Sequence, residues 1–203
     1  ESIDDGIGRL MKKLDSLGLS ENTIFIFSSD NGGETNVTSN APLRGGKSQL
    51  YEGGIRVPLI VRWPKGKVPA SRICTQPVVN HDFYPTLLDI AGTTAPKDKV
   101  LDGVNLMPLI KQTGNLKERA LYWHFPHYSN HGMQSPGGAI REGDYKLLEY
   151  FENNTVQLFN LKEDIGEQND LARVRPKKAA KLLAKLREWR KDVDARMLRP
   201  KNN

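Results

Sequence analysis

The sequence predicts an α/β segment followed by a small α+β unit, and three observations predict it. An amphipathic helical repeat opens the chain and leads straight into a short apolar run rich in β-branched and aromatic residues, Thr23 to Ser28. Beyond about residue 115 the pattern changes to short strand-like runs separated by Gly and Asn turns. A second amphipathic helix then closes the chain behind Pro176.

Taken in order, Ile3, Ile7, Leu10, Leu14 and Leu17 recur at helical spacing, and Gly18 supplies the stop. Thr23-Ile24-Phe25-Ile26-Phe27-Ser28 does not alternate, as expected for a strand covered on both faces of a mostly parallel sheet. Val57 to Trp63 is a second such run, in which Pro58 marks a sheet edge or a strand entry, and 72–79 offers a third. His81 to Ala91 reads as a helix with Leu87, Leu88 and Ile90 inward, Gly92 as its C-terminal glycine and His81 as a capping or packing residue.

The stretch 93–114 mixes turn signals and offers one short helix around Leu106 to Lys111. Strands are expected at 120–125, 138–141, 145–151 and 156–161, with turns at Gly143-Asp144 and Asn153-Asn154, which makes an antiparallel meander. Ala179, Leu182, Leu183, Leu186, Trp189 and Val193 form the apolar stripe of the closing helix. The expected organisation is an α/β part over 1–115 and an α+β subdomain over 116–203. Two or three strands and two helices are too few to cover a parallel sheet on both faces. The expectation is therefore the C-terminal part of a larger α/β enzyme, or self-association through the exposed sheet.

Composition narrows the class. The 203 residues are 37% hydrophobic and 27% charged, too apolar for a disordered tail and too polar for a membrane protein. No apolar run approaches the roughly 18–20 residues that span a bilayer, and Glu1 to Arg9 has neither a basic start nor an apolar signal core. The +6 net charge suggests a polyanion partner until its position is considered. Residues 1–160 hold 17 basic and 17 acidic side chains, so the excess lies in 161–203, mostly along the closing helix. No basic strand interleaved with aromatics is present, so nucleic acid is not the expected partner. The lone Cys74 excludes an internal disulfide framework.

Three groups of residues could carry chemistry. Asp30-Asn31-Gly32-Gly33 follows directly on the first apolar run. Ligands collect at the carboxyl ends of strands in open α/β sheets, where a carboxylate and an amide carbonyl pair as hard oxygen ligands for Ca²⁺ or Mg²⁺. Alone, the tetrapeptide also reads as a plain Asn-Gly turn. Leu43-Arg44-Gly45-Gly46-Lys47 combines glycines that admit an anion close to the backbone with two cations, and a Lys beside a metal suits a tetrahedral oxyanion. His124, His127 and His131 lie among Trp123, Phe125, Pro126 and Tyr128 without Cys or carboxylate neighbours. That composition fits an aromatic pocket loop better than a zinc site.

The ordered set TIFIFSSDNGG (23–33), LRGGKSQLYEGGIRVP (43–58), HDFYPTLLDIAG (81–92), HFPHY and GAIREGDYKLLE resembles the C-terminal part of a formylglycine-dependent sulfatase. That family is similar to alkaline phosphatase in fold, and the resemblance runs to about Ala172. It implies that Asp30 and Asn31 bind a divalent cation, usually calcium, and that Lys47 contacts the sulfate. It also implies that His124 faces substrate, with His127, His131 and Arg44 as pocket candidates and Arg56 structural.

The implied reaction is hydrolysis of glycan or aryl sulfate esters, in a periplasmic or secreted setting. The formylglycine is not in this chain: Cys74 is followed by Thr75-Gln76-Pro77 and no Arg stands downstream, so Cys74 reads as structural and the chain alone as inactive. Two alternatives remain at this stage. A phosphodiesterase or phosphomonoesterase of the same superfamily would need more His and Asp metal ligands. A noncatalytic polyanion-binding module would be retained on heparin through Lys177, Lys181 and Lys185.

Overall fold

The computed structural model describes residues 1–130 and 134–198. In chain order the elements are α1 (Ser2–Ser16), β1 (Phe25–Ser28), α2 (Glu52–Ile55), β2 (Leu59–Arg62), α3 (Phe83–Ile90), α4 (Met107–Ile110), β3 (Ala120–Phe125), β4 (Gly137–Glu142), β5 (Tyr145–Tyr150), β6 (Thr155–Asn160) and α5 (Pro176–Asp192). Backbone packing divides them into two units. Residues 1–28 and 59–117 form the first, and 29–58 and 118–203 the second.

In the first unit α1 ends as its sequence predicts. Gly18 adopts φ +66°, Leu19 N–H bonds the Leu14 carbonyl and Gly18 N–H bonds that of Asp15, a Schellman stop. The same pair of bonds closes α3 at Gly92. The apolar stripe of α1 is largely open, with Ile3 72% and Leu10 51% exposed.

Three expectations change in this unit. β1 pairs with β2 antiparallel, Phe25 opposite Arg62 and Ser28 opposite Leu59, and its residues are half-buried or exposed. An unalternating apolar run carries no information on the direction of its neighbour, and no residue of β1 is fully buried within this chain. No strand forms over 72–79. There the Gln76 side chain both donates to and accepts from the backbone of Leu116, at 2.9 Å each, in place of a ladder.

The third change concerns α3. A 3₁₀ turn, Asn80–Asp82, precedes it, and its buried positions are Asp82 and Thr86 while Leu87 is exposed. The Asp82 carboxylate accepts from Val79 N–H and Val104 N–H, and Thr86 Oγ1 accepts from Leu106 N–H. Satisfying those loop amides outweighs burying one leucine.

The second unit carries the meander β3-β4-β5-β6, antiparallel throughout and in the expected order. Alternation sorts its side chains onto two faces. Ile140, Leu147 and Leu158 meet Ala179, Leu182 and Leu186 of α5, while Ala139, Leu148 and Phe159 meet Leu50 and Leu161. Ile140, Leu147, Leu148, Leu158 and Phe159 are wholly inaccessible, so this sheet is covered on both sides. Val193 lies just past the end of α5 and is exposed. Cys74, in the first unit, is an exposed free thiol.

Candidate active site

The segment from Ser29 to Pro58 contains one short helix and no strand, so its geometry comes from backbone bonds between its own turns. Gly33 carbonyl accepts from Lys47 N–H at 3.1 Å, and Gly32 N–H donates to Gly54 carbonyl at 2.9 Å. Gly53 N–H donates to Arg44 carbonyl at 2.7 Å. Asn40 completes the knot: its amide group accepts from Gly33 N–H and donates to the Gly33 and Gly45 carbonyls. The turn after β1 and the paired-glycine loop are thereby one assembly.

Two glycines make the approach possible. A Cβ on Gly32 would overlap the Gly53 carbonyl oxygen, and one on Gly46 would overlap the Gly33 carbonyl oxygen. The DNGG and GGK glycines are therefore spacing residues for backbone contact as much as turn formers.

From this assembly the Lys47 ammonium and the Asp30 carboxylate are exposed, and among the described residues neither has a hydrogen-bond or ion-pair partner. Asn31 is half-buried beside Asp30. Such a pair of hard oxygens suits a divalent cation, but calcium takes roughly six to eight oxygen ligands. Among the described residues no group of three His, Cys, Asp or Glu side chains forms a metal site. Asp30 and Asn31 therefore fit as part of a donor set.

Arg44 is already engaged. Its Nη1 donates to the Glu167 carbonyl at 2.8 Å and its guanidinium lies 4.0 Å from the centre of the Tyr51 ring. Tyr51 hydroxyl in turn bonds Gln157 at 2.7 Å and accepts from Tyr150 at 3.0 Å, and burial pushes the Tyr150 phenol well above the usual tyrosine value.

Beneath α2 lies a charge cluster that reading the sequence missed. Lys146, with no exposed surface, places its ammonium 3.0 Å from both Glu52 Oε1 and Glu167 Oε1. Arg141 and Arg56 approach Glu52 Oε2 at 3.6 and 3.7 Å. Glu167 Oε2 accepts the Glu52 N–H at 2.6 Å. Burial raises the Glu167 carboxyl above the ordinary glutamate value, and the Lys146 charge opposes that rise. One signal was available: Lys146 alternates with Leu148 on a strand whose face is core. Glu167, in a loop, offered none.

The histidines sit elsewhere. His124 alternates with Tyr122 on the α5 face of the sheet, where its Nε2 donates to the Arg196 carbonyl at 2.8 Å and its ring meets Phe151 at 5.7 Å. Lys47 belongs to the segment whose Leu50 packs on the opposite face of the sheet. His127 is exposed, edge-on to Phe125 at 5.8 Å, and borders a shallow groove with Pro126, Arg196, Met197 and Leu198. His131 lies outside the described residues.

Comparison with known proteins gives one consistent result. Residues 46–195 match the family described as N-sulphoglucosamine sulphohydrolase, C-terminal. A sulfatase of Formosa agariphila is 37% identical over 93% of this chain and 38% of its own length. Mouse steryl-sulfatase is 39% identical over 62% of the chain and 21% of its own length. The crystal structure of Ps i-CgsB in complex with k-i-k-neocarrahexaose superposes with a TM-score of 0.80 at 32% identity, over 92% of this chain and 40% of that one. BT4656 in complex with its substrate D-glucosamine-2-N,6-O-disulfate superposes with a TM-score of 0.76 at 30% identity, over 93% and 38%. The chain thus spans about two fifths of the length of the first of these relatives. With motifs, fold and a family match over most of its length in agreement, the chain belongs to the sulfatase family and corresponds to that family's C-terminal region.

Proposed function

We propose that the chain is the C-terminal part of a sulfatase that hydrolyses sulfate esters of glycans. In this reading 1–115 belong to the α/β catalytic domain and 116–203 form the α+β subdomain, on which Ser29–Pro58 packs. The observation that carries it is the Lys47 N–H bond to the Gly33 carbonyl, which joins a free ammonium to the Asp30-Asn31 turn in one rigid backbone assembly. Relatives solved with k-i-k-neocarrahexaose and with the substrate D-glucosamine-2-N,6-O-disulfate support a sulfated glycan as substrate. Aryl sulfates are the simpler alternative, and a periplasmic or secreted location goes with such substrates.

Lys47 holds a sulfate oxygen and offsets the negative charge that gathers on the departing ester oxygen in the transition state. Asp30 and Asn31 would hold a divalent cation, Ca²⁺ in preference to Mg²⁺ because the donors are an exposed carboxylate and an amide carbonyl on a turn. When bound, that cation supplies positive charge to the sulfate oxygens, and a formylglycine contributed from outside this chain supplies the nucleophile. His127 and Arg44 border the substrate, Arg44 through the guanidinium nitrogens not bonded to Glu167. His124, directed toward α5, reaches substrate only if the Arg196 contact opens.

The test is a sulfatase assay on the chain joined to its upstream sequence with formylglycine confirmed, using 4-nitrocatechol sulfate and a panel of sulfated sugars. Turnover that Lys47→Ala and Asp30→Ala each abolish is expected. Absence of sulfate release from every substrate ends this reading, and metal-dependent turnover by the 203-residue chain alone ends the claim that the nucleophile lies outside it.

A further inference from the structure

We propose that Glu167, acting with Lys146, is the positioning residue for the Lys47 loop. The proposal rests on Lys47 as the sulfate-contacting group and assigns a role to residues far from it in sequence.

The segment 44–54 holds little apolar surface to place it. Leu50 is buried and Tyr51 is half-buried, but hydrophobic contact is non-directional, and the remaining residues are mostly glycine or polar. Directional bonds must therefore set its orientation, and Glu167 makes two of them. Its carboxylate takes the first-turn N–H of α2 at Glu52, and its carbonyl takes Arg44 Nη1. Lys146, rooted in β5, holds the Glu167 and Glu52 carboxylates together.

From there the connection to the site is unbroken. Gly53 N–H bonds the Arg44 carbonyl, Gly54 carbonyl receives Gly32 N–H, and Gly33 carbonyl receives Lys47 N–H. Glycine at 32 and 46 leaves no side chain to cushion a shift, because backbone rests on backbone there. A displacement of α2 thus moves both the Asp30-Asn31 turn and Lys47. The buried network keeps the two in register, and a misplacement of about 1 Å costs about 10²-fold in rate in a preorganised site.

The test separates positioning from general stabilisation. In the 203-residue chain, amide exchange is measured at Gly32, Lys47 and Gly53 and, as reference, at Leu148 and Leu158 in the meander. Glu167→Ala is expected to speed exchange at the three loop amides about tenfold or more relative to the reference amides. Glu167→Gln, which keeps an acceptor for the Glu52 N–H, is expected to restore most of the protection. Leu182→Ala, which loosens the opposite face, leaves the loop-to-meander ratio unchanged. Should the alanine variant fail to fold, Glu167→Asp, shorter by one methylene, carries the same comparison.

Uniform acceleration at all five amides in Glu167→Ala, or protection retained at Lys47, overturns the proposal. In the formylglycine-bearing protein, Glu167→Ala is expected to lower kcat/KM about 10²-fold for a sulfate ester, with Glu167→Gln recovering most of it. Undiminished kcat/KM in Glu167→Ala also overturns it. If the unsubstituted protein releases no sulfate, the sulfatase reading falls, while the exchange ratios still decide the positioning role.

Discussion

On one face of the β3–β6 sheet, α5 lays Ala179, Leu182 and Leu186 against Ile140, Leu147 and Leu158, with Trp189 stacked on Tyr122 at 4.8 Å. On the other, the 29–58 segment sets Leu50 over Ala139, Leu148 and Phe159 and holds its remaining length through glycine contacts and the Lys146–Glu52–Glu167 cluster. Charges occur on both faces but do different work. Facing α5, Glu142 with Lys185 and Glu149 with Arg187 pair at partly exposed positions, and Glu149 with Arg190 forms a buried pair. Under α2 three charges, Lys146, Glu52 and Glu167, are buried together at the centre. Apolar packing tolerates small slides, whereas short polar contacts in a dry interior do not. The face that carries the candidate site depends more heavily on the intolerant kind, because little apolar surface holds its segment.

The largest expected effect that breaks this contrast is Lys146→Met. It strands two buried carboxylates and should cost about 3–5 kcal/mol in a urea titration. Leu182→Ala, on the helix face, comes next. It leaves a cavity at a fully buried position and should cost about 3 kcal/mol. Loop protection should fall there only in step with the rest of the unit.

Gly46→Ala drives a Cβ into the Gly33 carbonyl and the Asn40 amide, with an expected cost of about 1–3 kcal/mol concentrated at the Lys47 N–H, which amide exchange reports. Lys185→Ala removes a part-buried pair with Glu142 and should lower stability only slightly in the same urea titration, by less than any of the three substitutions above.

The smallest effects are pH slopes of opposite sign. Glu167 has a raised carboxyl, so the folded chain binds its proton more readily than the unfolded chain. Its contribution to stability therefore declines as pH rises from the ordinary glutamate value through the raised one, and Glu167→Gln removes that decline. Lys146 and Glu52 are the charges that bear on it. Glu142 is held below the ordinary value by its hydrogen bond from Lys185, so its contribution is present at neutrality and is lost as pH falls through that lowered value. Equal slopes before and after Glu167→Gln and Glu142→Gln would show that neither group contributes.

Much of this architecture was legible in the residues. The Gly18 and Gly92 stops, the meander with its turns and the stripe of α5 follow from period and punctuation, which are local properties. The short motifs likewise located Asp30, Asn31, Arg44 and Lys47, and the structure ties their two turns together. The direction of β1's partner, the polar buried side of α3 and the α5-facing orientation of His124 were not legible. Each depends on what a distant segment presents: β2 to Phe25, Val104 to Asp82, Arg196 to His124.

By itself, then, the sequence determined the long helices and the meander in order, the family and the chemical types gathered in the DNGG and GGK loops, because spacing and residue chemistry are written in adjacent positions. Only the tertiary structure decided which face of the meander each loop meets. It also decided that Arg44 Nη1 donates to the Glu167 carbonyl and that a buried lysine in β5 underlies the Lys47 loop. A buried ion cluster is assembled from residues some 90 to 115 positions apart, Lys146 from Glu52 and Glu167 from Glu52. Its members satisfy one another only after the chain has closed around them and excluded water, a condition that no local pattern encodes.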